Sequence, residues 1–346
     1  MTIKDKISGK NILFFSVQTF KLEQEVKHAM EKNGAEVWYY DERPSNNNFT
    51  KGIIRLKRKL YQKRIDEYYN RILDDIKGQS FDFLFVNRGE VITADFLIKF
   101  SKMYPECERI FFTWDSFTNH GHPTTILKYF HKRFTFELDD AIKYGIGFRP
   151  LFYLDSYKDL KIVSSSYQYD LLFLGTAHTD RYPVYKKVAE WATQNKYSFF
   201  KYFYMHSRAV YLYQRFFDKS FKGFQYSLLS FKSLSTDEIM KLYKQSKVIL
   251  DINHTGQKGL TMRTFEAIGA GKKLITTNSE IKKYPFWNPN NFYVIQRNYI
   301  DIDQSFFNTE YIPLADDLYY GCSIEGWLSD IFLKNEKDDW KAKLHS

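Results

Sequence analysis

The chain has 346 residues, of which 44% are hydrophobic and 19% are aromatic, and it carries a formal net charge of +10 at pH 7. This length exceeds the size at which one hydrophobic core usually stops growing, so two domains are expected. The two cysteines, Cys107 and Cys322, lack metal-ligand spacing, which argues against a disulfide scaffold and for a reducing compartment. The first residues lack an apolar signal core and no apolar run approaches a membrane span, so a cytoplasmic protein is expected.

The first half of the sequence alternates short apolar runs with amphipathic segments. The predicted strands are Asn11–Val17, Ala35–Tyr40, Phe81–Asn87, Arg109–Trp114 and Arg133–Glu137. The predicted helices are Leu22–Lys32, Lys51–Lys77 and Thr93–Met103. This alternation is typical of a doubly wound α/β sheet.

The second half repeats the alternation after a polar stretch. Residues Asp155–Gln168 have no apolar periodicity and are predicted to link two domains. The pattern then restarts with strand Tyr169–Leu174, helix Pro183–Asn195 and strand Ser198–Tyr204. The stretch Phe199–Phe231 is dense in Phe and Tyr with interleaved Lys and Arg, for which core packing is favoured over base stacking. Since no nucleic-acid-binding motif is found either, no nucleic acid partner is expected.

A basic amphipathic segment begins the long helix of the first half. Seven basic residues and no acidic residue occur over Lys51–Arg64, ahead of apolar residues at helical spacing. One interpretation is docking on an anionic membrane surface, to which each basic residue contributes on the order of 1 kcal/mol. The other is a solvated helix whose apolar stripe packs on its own domain. The stripe favours the second interpretation, and the charge favours a peripheral position on the inner face of the cell membrane.

The stretch Val248–Asn278 predicts one βαβ unit. Its strands, Val248–Ile252 and Lys273–Thr277, flank a glycine-bearing loop and a helix over Thr261–Ala270. The helical phase predicts two faces. A packing face contains Thr261, Phe265 and Ile268, and a chemical face contains Arg263, Glu266 and Ala267.

The loop and first turn of this helix have the composition of an anion site. Lys258, Gly259 and Thr261 precede a helix start whose free N–H groups and dipole favour negative charge. Arg263 is predicted to bind phosphate and Glu266 to accept hydrogen bonds from a ribose diol. The alternative is that Arg263 and Glu266 form an ordinary surface ion pair.

Strand Tyr169–Leu174 ends in a second polar loop, where an open α/β sheet presents its ligand residues. Gly175 permits close backbone approach, Thr176 offers a hydroxyl, and His178 and Arg181 carry charge that suits a diphosphate. An exposed polar turn is the alternative.

These motifs resemble the C-terminal half of GT-B glycosyltransferases, in particular the CgeB-like and glycosyltransferase family 1 groups of bacterial polysaccharide biosynthesis. The likeness covers about Asp170–Ile295 and depends on Arg263, Phe265, Glu266, Ala267, Gly269, Gly271 and Leu274 to Thr276. It implies an α/β fold of two Rossmann-like doubly wound domains facing a cleft. Residues 1–155 would bind the acceptor, 169–310 would bind the nucleotide-sugar, and 311–346 would form a helical segment whose helix Ile324–Leu333 crosses back to the first domain.

The resemblance also implies a reaction. The expected activity is metal-independent transfer of a sugar from a nucleotide-diphosphate donor to a hydroxyl of a cell-surface glycan or lipid-linked acceptor, as in lipopolysaccharide or capsule synthesis, without a cofactor. Lys258 departs from the pattern, because many relatives carry a second glutamate eight positions before the ribose-binding one. The donor sugar and the stereochemistry therefore stay open. Alternatives are an epimerase or phosphosugar transferase on the same scaffold, or a non-catalytic nucleotide-binding subunit.

Two loops of the first half supply candidates for chemistry. Asn87, Arg88 and Glu90 follow one strand, and Asp115 and His120 follow the next. Asn87 and Arg88 are expected to bind the acceptor. Asp115 is the preferred general base, with Glu90 and His120 as alternatives, because transfer to a hydroxyl needs a group that removes its proton. A helix-capping role for Asp115 is the competing interpretation.

A metal site of the GT-A kind is not expected. Asp301 and Asp303 have the Asp-x-Asp spacing that holds Mg²⁺ or Mn²⁺ in such enzymes, but no strand of suitable pattern is predicted before them. They are interpreted as a turn.

Overall fold

The computed structural model describes residues 1–45, 48–161, 167–178, 180–218, 221, 223–338 and 340–345, without the side chains of 48–60. The chain divides into two compact units. The first contains residues 1–150 and 324–342, and the second contains residues 151–323 and 343–346.

The boundaries differ from the predicted ones. The predicted linker Asp155–Gln168 begins with a 3-10 helix, Asp155–Leu160, and Tyr157 in this helix packs against Tyr243 of the second unit with ring centroids 5.2 Å apart. Buried tyrosines, which carry no periodic signal when they stand alone, thus join this stretch to the second unit. Residues 162–166 lie outside the described part of the chain.

The first unit is built on six parallel strands. They are β1 (Asn11–Ser16), β2 (Glu36–Asp41), β3 (Phe83–Asn87), β4 (Glu108–Thr113), β5 (Lys132–Thr135) and β6 (Gly147–Phe148). Their order in the sheet is β2-β1-β3-β4-β5-β6. The order in which strands are added to the sheet reverses between β1 and β3, and a doubly wound sheet binds ligands at the carboxyl ends of the strands at such a switch point.

The helices of residues 1–150 come next. They are α1 (Ile3–Ile7), α2 (Leu22–Lys32), α3 (Asn48–Asp75), α4 (Ala94–Met103) and α5 (Leu138–Tyr144). Helix α3 begins three residues before the predicted Lys51–Lys77. Ile65, Tyr69 and Ile72 on α3 are at most 3% exposed, so the apolar stripe packs on its own unit as the sequence favoured. The basic residues of Lys51–Arg64 up to residue 60 lie beyond the described side chains, whereas Lys63 and Arg64 are exposed.

The second unit also contains six parallel strands. They are β7 (Tyr169–Thr176), β8 (Phe199–Tyr204), β9 (Leu229–Ser230), β10 (Ser246–Asp251), β11 (Lys273–Thr276) and β12 (Phe292–Val294). Their order is β12-β11-β10-β7-β8-β9, which is the Rossmann arrangement read from the other edge. The switch point of this sheet lies between β7 and β10.

The helices of the second unit are α6 (Arg181–Gln194), α7 (Arg208–Phe217), α8 (Thr236–Gln245), α9 (Met262–Gly269), α10 (Ser305–Asn308) and α11 (Asp316–Gly321). The chain then returns to the first unit with α12 (Ile324–Leu333). Trp327 of α12 meets Phe112 edge-on at 4.9 Å, which buries the tryptophan in the first core. Among the described residues, no helix is both long and apolar enough to cross a membrane.

Candidate functional site

Arg181 lies at the switch point of the second sheet and is held by neutral oxygens. Its Nε donates to the Ile252 carbonyl at 2.9 Å, and its Nη1 donates to the Thr176 hydroxyl at 2.8 Å. Burial lowers the pKa of Arg181 to about 10, which leaves it charged at neutral pH. Within the described structure no hydrogen bond to Nη2 is found, so this nitrogen is available to an anion.

Two helices start at this switch point without a side-chain cap. Asp180 precedes α6, but its Oδ2 accepts a bond from Arg297 Nη1 at 2.7 Å instead of capping the helix. Thr261 precedes α9, but its hydroxyl donates to Asp251 Oδ1 at 3.0 Å. Both helices therefore keep uncapped N–H groups and the positive ends of their dipoles, which together form a setting for a bound anion.

His178 lies beside these helix starts. Its ring centroid is 5.9 Å from that of His254, which comes from the loop after β10. Burial, together with the nearby charges of Arg181 and His254, lowers the pKa of His178 to about 3. The imidazole is therefore neutral at physiological pH and offers one donor and one acceptor nitrogen.

Arg297 and Asn253 brace the loop after β10, and the sequence interpretation missed both. Arg297 Nη2 donates to the carbonyl and the side-chain oxygen of Asn253, each at 2.7 Å. Asn253 is 5% exposed, and its amide nitrogen donates to the Gln257 carbonyl at 2.8 Å. The signal available in the sequence was weak, because Arg297 stands alone after the edge strand β12.

Arg263 and Glu266 form a network inside the second unit. Arg263 Nη2 donates to the Leu174 carbonyl at 3.0 Å, and its Nη1 bonds to the Tyr243 hydroxyl and to Glu266 Oε2. The Tyr243 hydroxyl also donates to Glu266 Oε2, at 2.7 Å. The side chain of Glu266 stays 15% exposed. Glu266 is thus presented by its neighbours, while the direct phosphate contact predicted for Arg263 stays a prediction.

The predicted faces of α9 need one correction. Ala267 was expected beside Arg263 and Glu266 on the chemical face, but it is fully buried. Thr264 is fully buried as well, so the packing face is wider than the predicted one and extends on one side of Phe265 through Thr264 to Ala267. An eight-residue helix between two central strands has little solvent-facing surface, which explains the difference.

The remaining predicted residues of this edge differ in their roles. A Cβ at Gly175 would lie 2.7 Å from the Phe173 ring, so close packing, and not only ligand approach, requires glycine there. Thr176 binds Arg181. The Gly259 carbonyl accepts from Gln257 Nε2 at 3.0 Å, and the Lys258 carbonyl accepts from Asn278 Nδ2 at 2.9 Å. The side chain of Lys258 is exposed.

A second cluster lies at the carboxyl edge of the first sheet and brings together four predicted residues. Arg88 Nε is 2.6 Å from Asp115 Oδ2 and 3.6 Å from Glu90 Oε2. Arg88 Nη2 is 3.1 Å from His120 Nε2, and a guanidinium can only donate, so Nε2 accepts. The side chain of Asp115 is 28% exposed, whereas Glu90 is 6% exposed. Asp115 is therefore more accessible to solvent than Glu90.

Glu42 and Arg43 complete the cluster, and the sequence interpretation missed both. Glu42 accepts hydrogen bonds from the backbone N–H groups of Gly89 at 2.8 Å and of Val91 at 3.1 Å. These bonds hold a loop in which Arg88 has a φ of +100°. Arg43 bonds to Glu90. Both residues follow strand β2 at its carboxyl end, which is the signal that could have identified them.

The charges in this cluster shift the pKa of its buried acids in opposite directions. Burial raises the pKa of Glu42 to about 7, against the lowering effect of its two backbone hydrogen bonds. Burial acts the same way on Glu90, but the cations Arg88 and Arg43 outweigh it and hold the pKa of Glu90 below its usual value. Glu90 is therefore ionised and locked between two guanidinium groups, which makes it a poor proton acceptor.

Asn87 does not join this cluster through any hydrogen bond found in the described residues. It is fully buried at the end of β3, directly beside Ser16 of β1 in the sheet register. Neither the Asn87 amide nor the Ser16 hydroxyl has a hydrogen-bond partner within the described structure. An acceptor contact by Asn87 stays a prediction.

The described residues contain no group of three His, Cys, Asp or Glu side chains that could hold a metal ion. Asp303 accepts a hydrogen bond from the Ser305 backbone N–H at 2.8 Å, which is a turn contact. The strand β12 does precede Asp301, although the sequence did not indicate one.

Comparisons with known proteins agree with this architecture. Residues 215–299, which include the loop after β10 and helix α9, match the family model of glycosyl transferase-like proteins. The chain is similar to an alpha-glucosyltransferase solved with UDP and a 13-mer DNA containing a central A:G mismatch, at 11% identity and a TM-score of 0.57, with 96% of this chain and 98% of that chain covered. No curated protein matches the sequence.

Two further solved structures give lower scores. The lipopolysaccharide outer core galactosyltransferase WaaB in its apo form is 12% identical with a TM-score of 0.47, covering 93% of this chain and 96% of that chain. The UDP-GlcNAc 2-epimerase of Methanocaldococcus jannaschii, solved with UDP-GlcNAc and UDP, is 12% identical with a TM-score of 0.45, covering 97% and 95%. The alpha-glucosyltransferase alone supports the similarity in fold, since its TM-score is above 0.5 and the match covers both chains almost completely. The chain therefore has the GT-B fold, with two six-stranded parallel sheets in Rossmann-like units, and the glycosyl transferase-like model matches part of its second unit.

Proposed function

We propose that this protein transfers a sugar from a nucleoside diphosphate donor to a hydroxyl of a cell-surface glycan or lipid-linked acceptor. The observation that carries the proposal is the pair of uncapped helix starts, of α6 and α9, at the β7/β10 switch point, with Arg181 Nη2 available beside them. An anion at this position gains two helix dipoles and a guanidinium.

The donor is assigned to the carboxyl edge of the second sheet. Its diphosphate lies between the starts of α6 and α9, where Arg181 donates to a phosphate oxygen and neutral His178 donates a further bond. Its ribose binds the carboxylate of Glu266. Arg263 then acts through Glu266, because its guanidinium is already bonded to Leu174, Tyr243 and Glu266. This assignment changes Arg263 from a phosphate ligand to a positioning residue.

The acceptor chemistry is assigned to Asp115 in the first unit. As the acceptor oxygen bonds to the anomeric carbon, the bond from that carbon to the phosphate oxygen breaks, and the acceptor proton passes to the Asp115 carboxylate. Arg88 orients Asp115 through the 2.6 Å contact and is in turn placed by Glu90 and His120. Glu90 and His120 are supporting residues in this assignment.

Metal independence is part of the proposal. The negative charge that develops on the leaving diphosphate is balanced by Arg181 and the two helix starts. Activity in the presence of a chelator, at a rate equal to that with added Mg²⁺, is the expected result. Loss of activity on chelation and its recovery with Mg²⁺ or Mn²⁺ would refute this part.

A cytoplasmic protein at the inner face of the membrane fits a lipid-linked acceptor. Membrane contact through the basic segment Lys51–Arg64 stays a prediction, since most of its side chains are outside the described residues.

Incubation with a panel of nucleotide-sugars, with release of nucleoside diphosphate as the readout, tests the activity. Release that requires an added glycan or lipid-linked acceptor supports transfer. Interconversion of sugars on the nucleotide identifies an epimerase, and transfer of a sugar phosphate identifies a phosphosugar transferase. Tight nucleotide binding without turnover identifies a silent subunit, so each of these three outcomes overturns the proposal.

A further inference from the structure

Helix α7 (Arg208–Phe217) exposes an unusual number of large apolar side chains. Leu212 is 51% exposed, Tyr213 66%, Phe216 79% and Phe217 76%. The rings of Tyr213 and Phe217 lie 4.9 Å apart, so the exposed side chains touch each other. The remaining exposed large apolar side chains among the described residues are scattered over both units. We call the four side chains of α7 the aromatic ridge.

The ridge is the apolar face of an amphipathic helix that points outward. A helix turns by about 100° per residue, so Ala209 and the four ridge residues fall within an arc of about 140°. All five are exposed, whereas the opposite flank holds Tyr211, which is the buried residue of α7. In a helix that only covers its own sheet, the apolar face is the buried one.

This orientation corrects one sequence-based expectation. Core packing was favoured for the aromatic residues of Phe199–Phe231, and it holds for Phe203, Phe221 and Phe224, which are at most 3% exposed. It is wrong for the ridge. The four ridge side chains are each more than half exposed, so packing within the unit does not account for them.

The sequence on either side of the ridge is rich in basic residues. Between Phe199 and Ser235 the sequence has six basic residues, Lys201, Arg208, Arg215, Lys219, Lys222 and Lys232, and a single acidic residue, Asp218. Arg208 and Arg215 lie on α7 itself, about 40° and 60° beyond one edge of the apolar arc, and both are exposed. A partner of this surface must therefore be apolar at its centre and anionic around it.

We propose that helix α7 docks on an anionic lipid bilayer, with the aromatic ridge inserted at the boundary of headgroups and acyl chains. Phe, Leu and Tyr side chains with flanking arginines are the signature of a helix lying in a membrane interface. Arg208 and Arg215 bind lipid phosphates, and the basic residues around them are attracted to the anionic surface.

Nucleic acid fits the ridge less well. Single strands bind where bases stack on aromatic rings set within a basic groove. Here Leu212 offers no stacking surface, and the cations lie beside a convex apolar ridge. A bilayer requires no matching groove, and it accommodates side chains that project from a convex helix.

The docking surface is separate from the proposed donor site. Helix α7 leaves the carboxyl edge of the second sheet after β8, and Phe216 and Phe217 are at its other end, about 15 Å along the helix axis. Docking through that end leaves the residues at the β7/β10 switch point uncovered. The inference therefore stands whether or not the protein transfers a sugar.

Vesicle flotation of the full chain tests this inference. The wild-type protein is expected to float with vesicles of phosphatidylcholine and phosphatidylglycerol and to remain behind with phosphatidylcholine alone. The double variant Phe216→Ser and Phe217→Ser should partition at least about tenfold less, because two phenyl groups no longer leave water. The double variant Arg208→Gln and Arg215→Gln should bind less and lose most of the salt dependence.

A matched control removes two equally exposed apolar side chains elsewhere. Ile142 and Tyr299 are 66% and 67% exposed, and the variant Ile142→Ser and Tyr299→Ser should float as the wild type does. Thermal unfolding of each variant shows that it is folded.

Three results would overturn the inference. These are absence of wild-type binding to the anionic vesicles, equal binding by the ridge variant, and equal losses in ridge and control variants. Loss of self-association or of single-stranded DNA binding in the ridge variant, with vesicle binding unchanged, assigns the ridge to another partner and overturns it too.

Discussion

The two candidate clusters both lie at the carboxyl edge of their sheets, but their arginines have different partners. At the first edge, Arg43 donates a hydrogen bond to the carboxylate of Glu90, and Arg88 forms an ion pair with that of Asp115. At the second edge, Arg181 is bonded to a carbonyl and a hydroxyl and keeps one nitrogen available. Both arginines of the first edge are thus paired with carboxylates, whereas Arg181 of the second edge bonds, among the described residues, only to neutral oxygens.

This difference indicates which ligand each edge suits. In the first cluster the arginines are paired with carboxylates and one carboxylate stays accessible. Such a cluster offers hydrogen bonds and a proton acceptor to a neutral, hydroxyl-rich molecule. Two helix starts and an incompletely bonded guanidinium attract an anion. We therefore expect the same type of parallel sheet to bind two kinds of ligand through the side chains that follow its strands.

The largest expected effect is on turnover, from Asp115→Asn in the first cluster. The amide cannot take up the acceptor proton, so kcat should fall by about 100-fold or more while the Kd for UDP is unchanged. Steady-state kinetics and calorimetric titration separate the two quantities. The matched control is Asp139→Asn, an exposed carboxylate of α5, which should keep full activity. Full activity of Asp115→Asn would remove Asp115 as the base.

Next in size is the effect of Arg181→Gln on nucleotide binding. Because the variant loses the guanidinium beside the diphosphate, its Kd for UDP should rise by about 10- to 100-fold. Lys186→Gln, on the exposed side of the same helix, is the control and should bind normally. Thermal unfolding should accompany the titration, since Arg181 also ties β7 to the loop after β10. An unchanged Kd in a folded variant would mean that the second edge is not the anion site.

A smaller effect on binding is expected from the Glu266 network. Glu266→Ala should raise the Kd for UDP by about tenfold, because a ribose hydroxyl loses its acceptor. Tyr243→Phe should raise it less, by about threefold, since it removes only the hydroxyl that holds Glu266. Titration with UDP and with inorganic pyrophosphate distinguishes the moieties. Equal losses for both ligands would contradict a ribose contact.

The smallest effect concerns stability and pH in the first cluster. The ordinary pKa of Glu42 is near 4.5, and its pKa in the folded protein is about 7. Between these pH values the folded chain therefore binds more protons than the unfolded chain. By linkage, this contribution to stability is present below pH 4.5 and is lost as pH rises to 7. Glu42→Gln cannot ionise, so its stability relative to the wild type should improve by about 1 to 3 kcal/mol from pH 4.5 to 8. Thermal unfolding at both pH values measures this, and a constant difference would contradict it.

The sequence was sufficient to predict the central strands and to place many candidate site residues at the ends of those strands. The apolar runs before Asn87, Asp115 and Thr176 are long enough to identify buried strands, and the polar residues after them follow from the topology of a parallel sheet. Short edge strands could not be predicted in this way. Gly147–Phe148 and Leu229–Ser230 contain two residues each, which is too few for a periodic pattern.

Hydrogen bonds between residues that are distant in the sequence could not be predicted either. The contact of Arg263 with the Leu174 carbonyl joins residues 89 positions apart, and nothing near Arg263 indicates it. The exposure of the aromatic ridge could not be predicted either, because a buried helix and an outward-facing helix can have the same aromatic composition. Only the direction of the helix on the sheet decides between them.

The position of a bound nucleoside diphosphate tests the central claim most directly. In a crystal structure with UDP, the diphosphate is predicted to lie between the starts of α6 and α9, with a phosphate oxygen about 3 Å from Arg181 Nη2 and the ribose at Glu266. UDP bound elsewhere, with this switch point occupied only by solvent, would contradict the account.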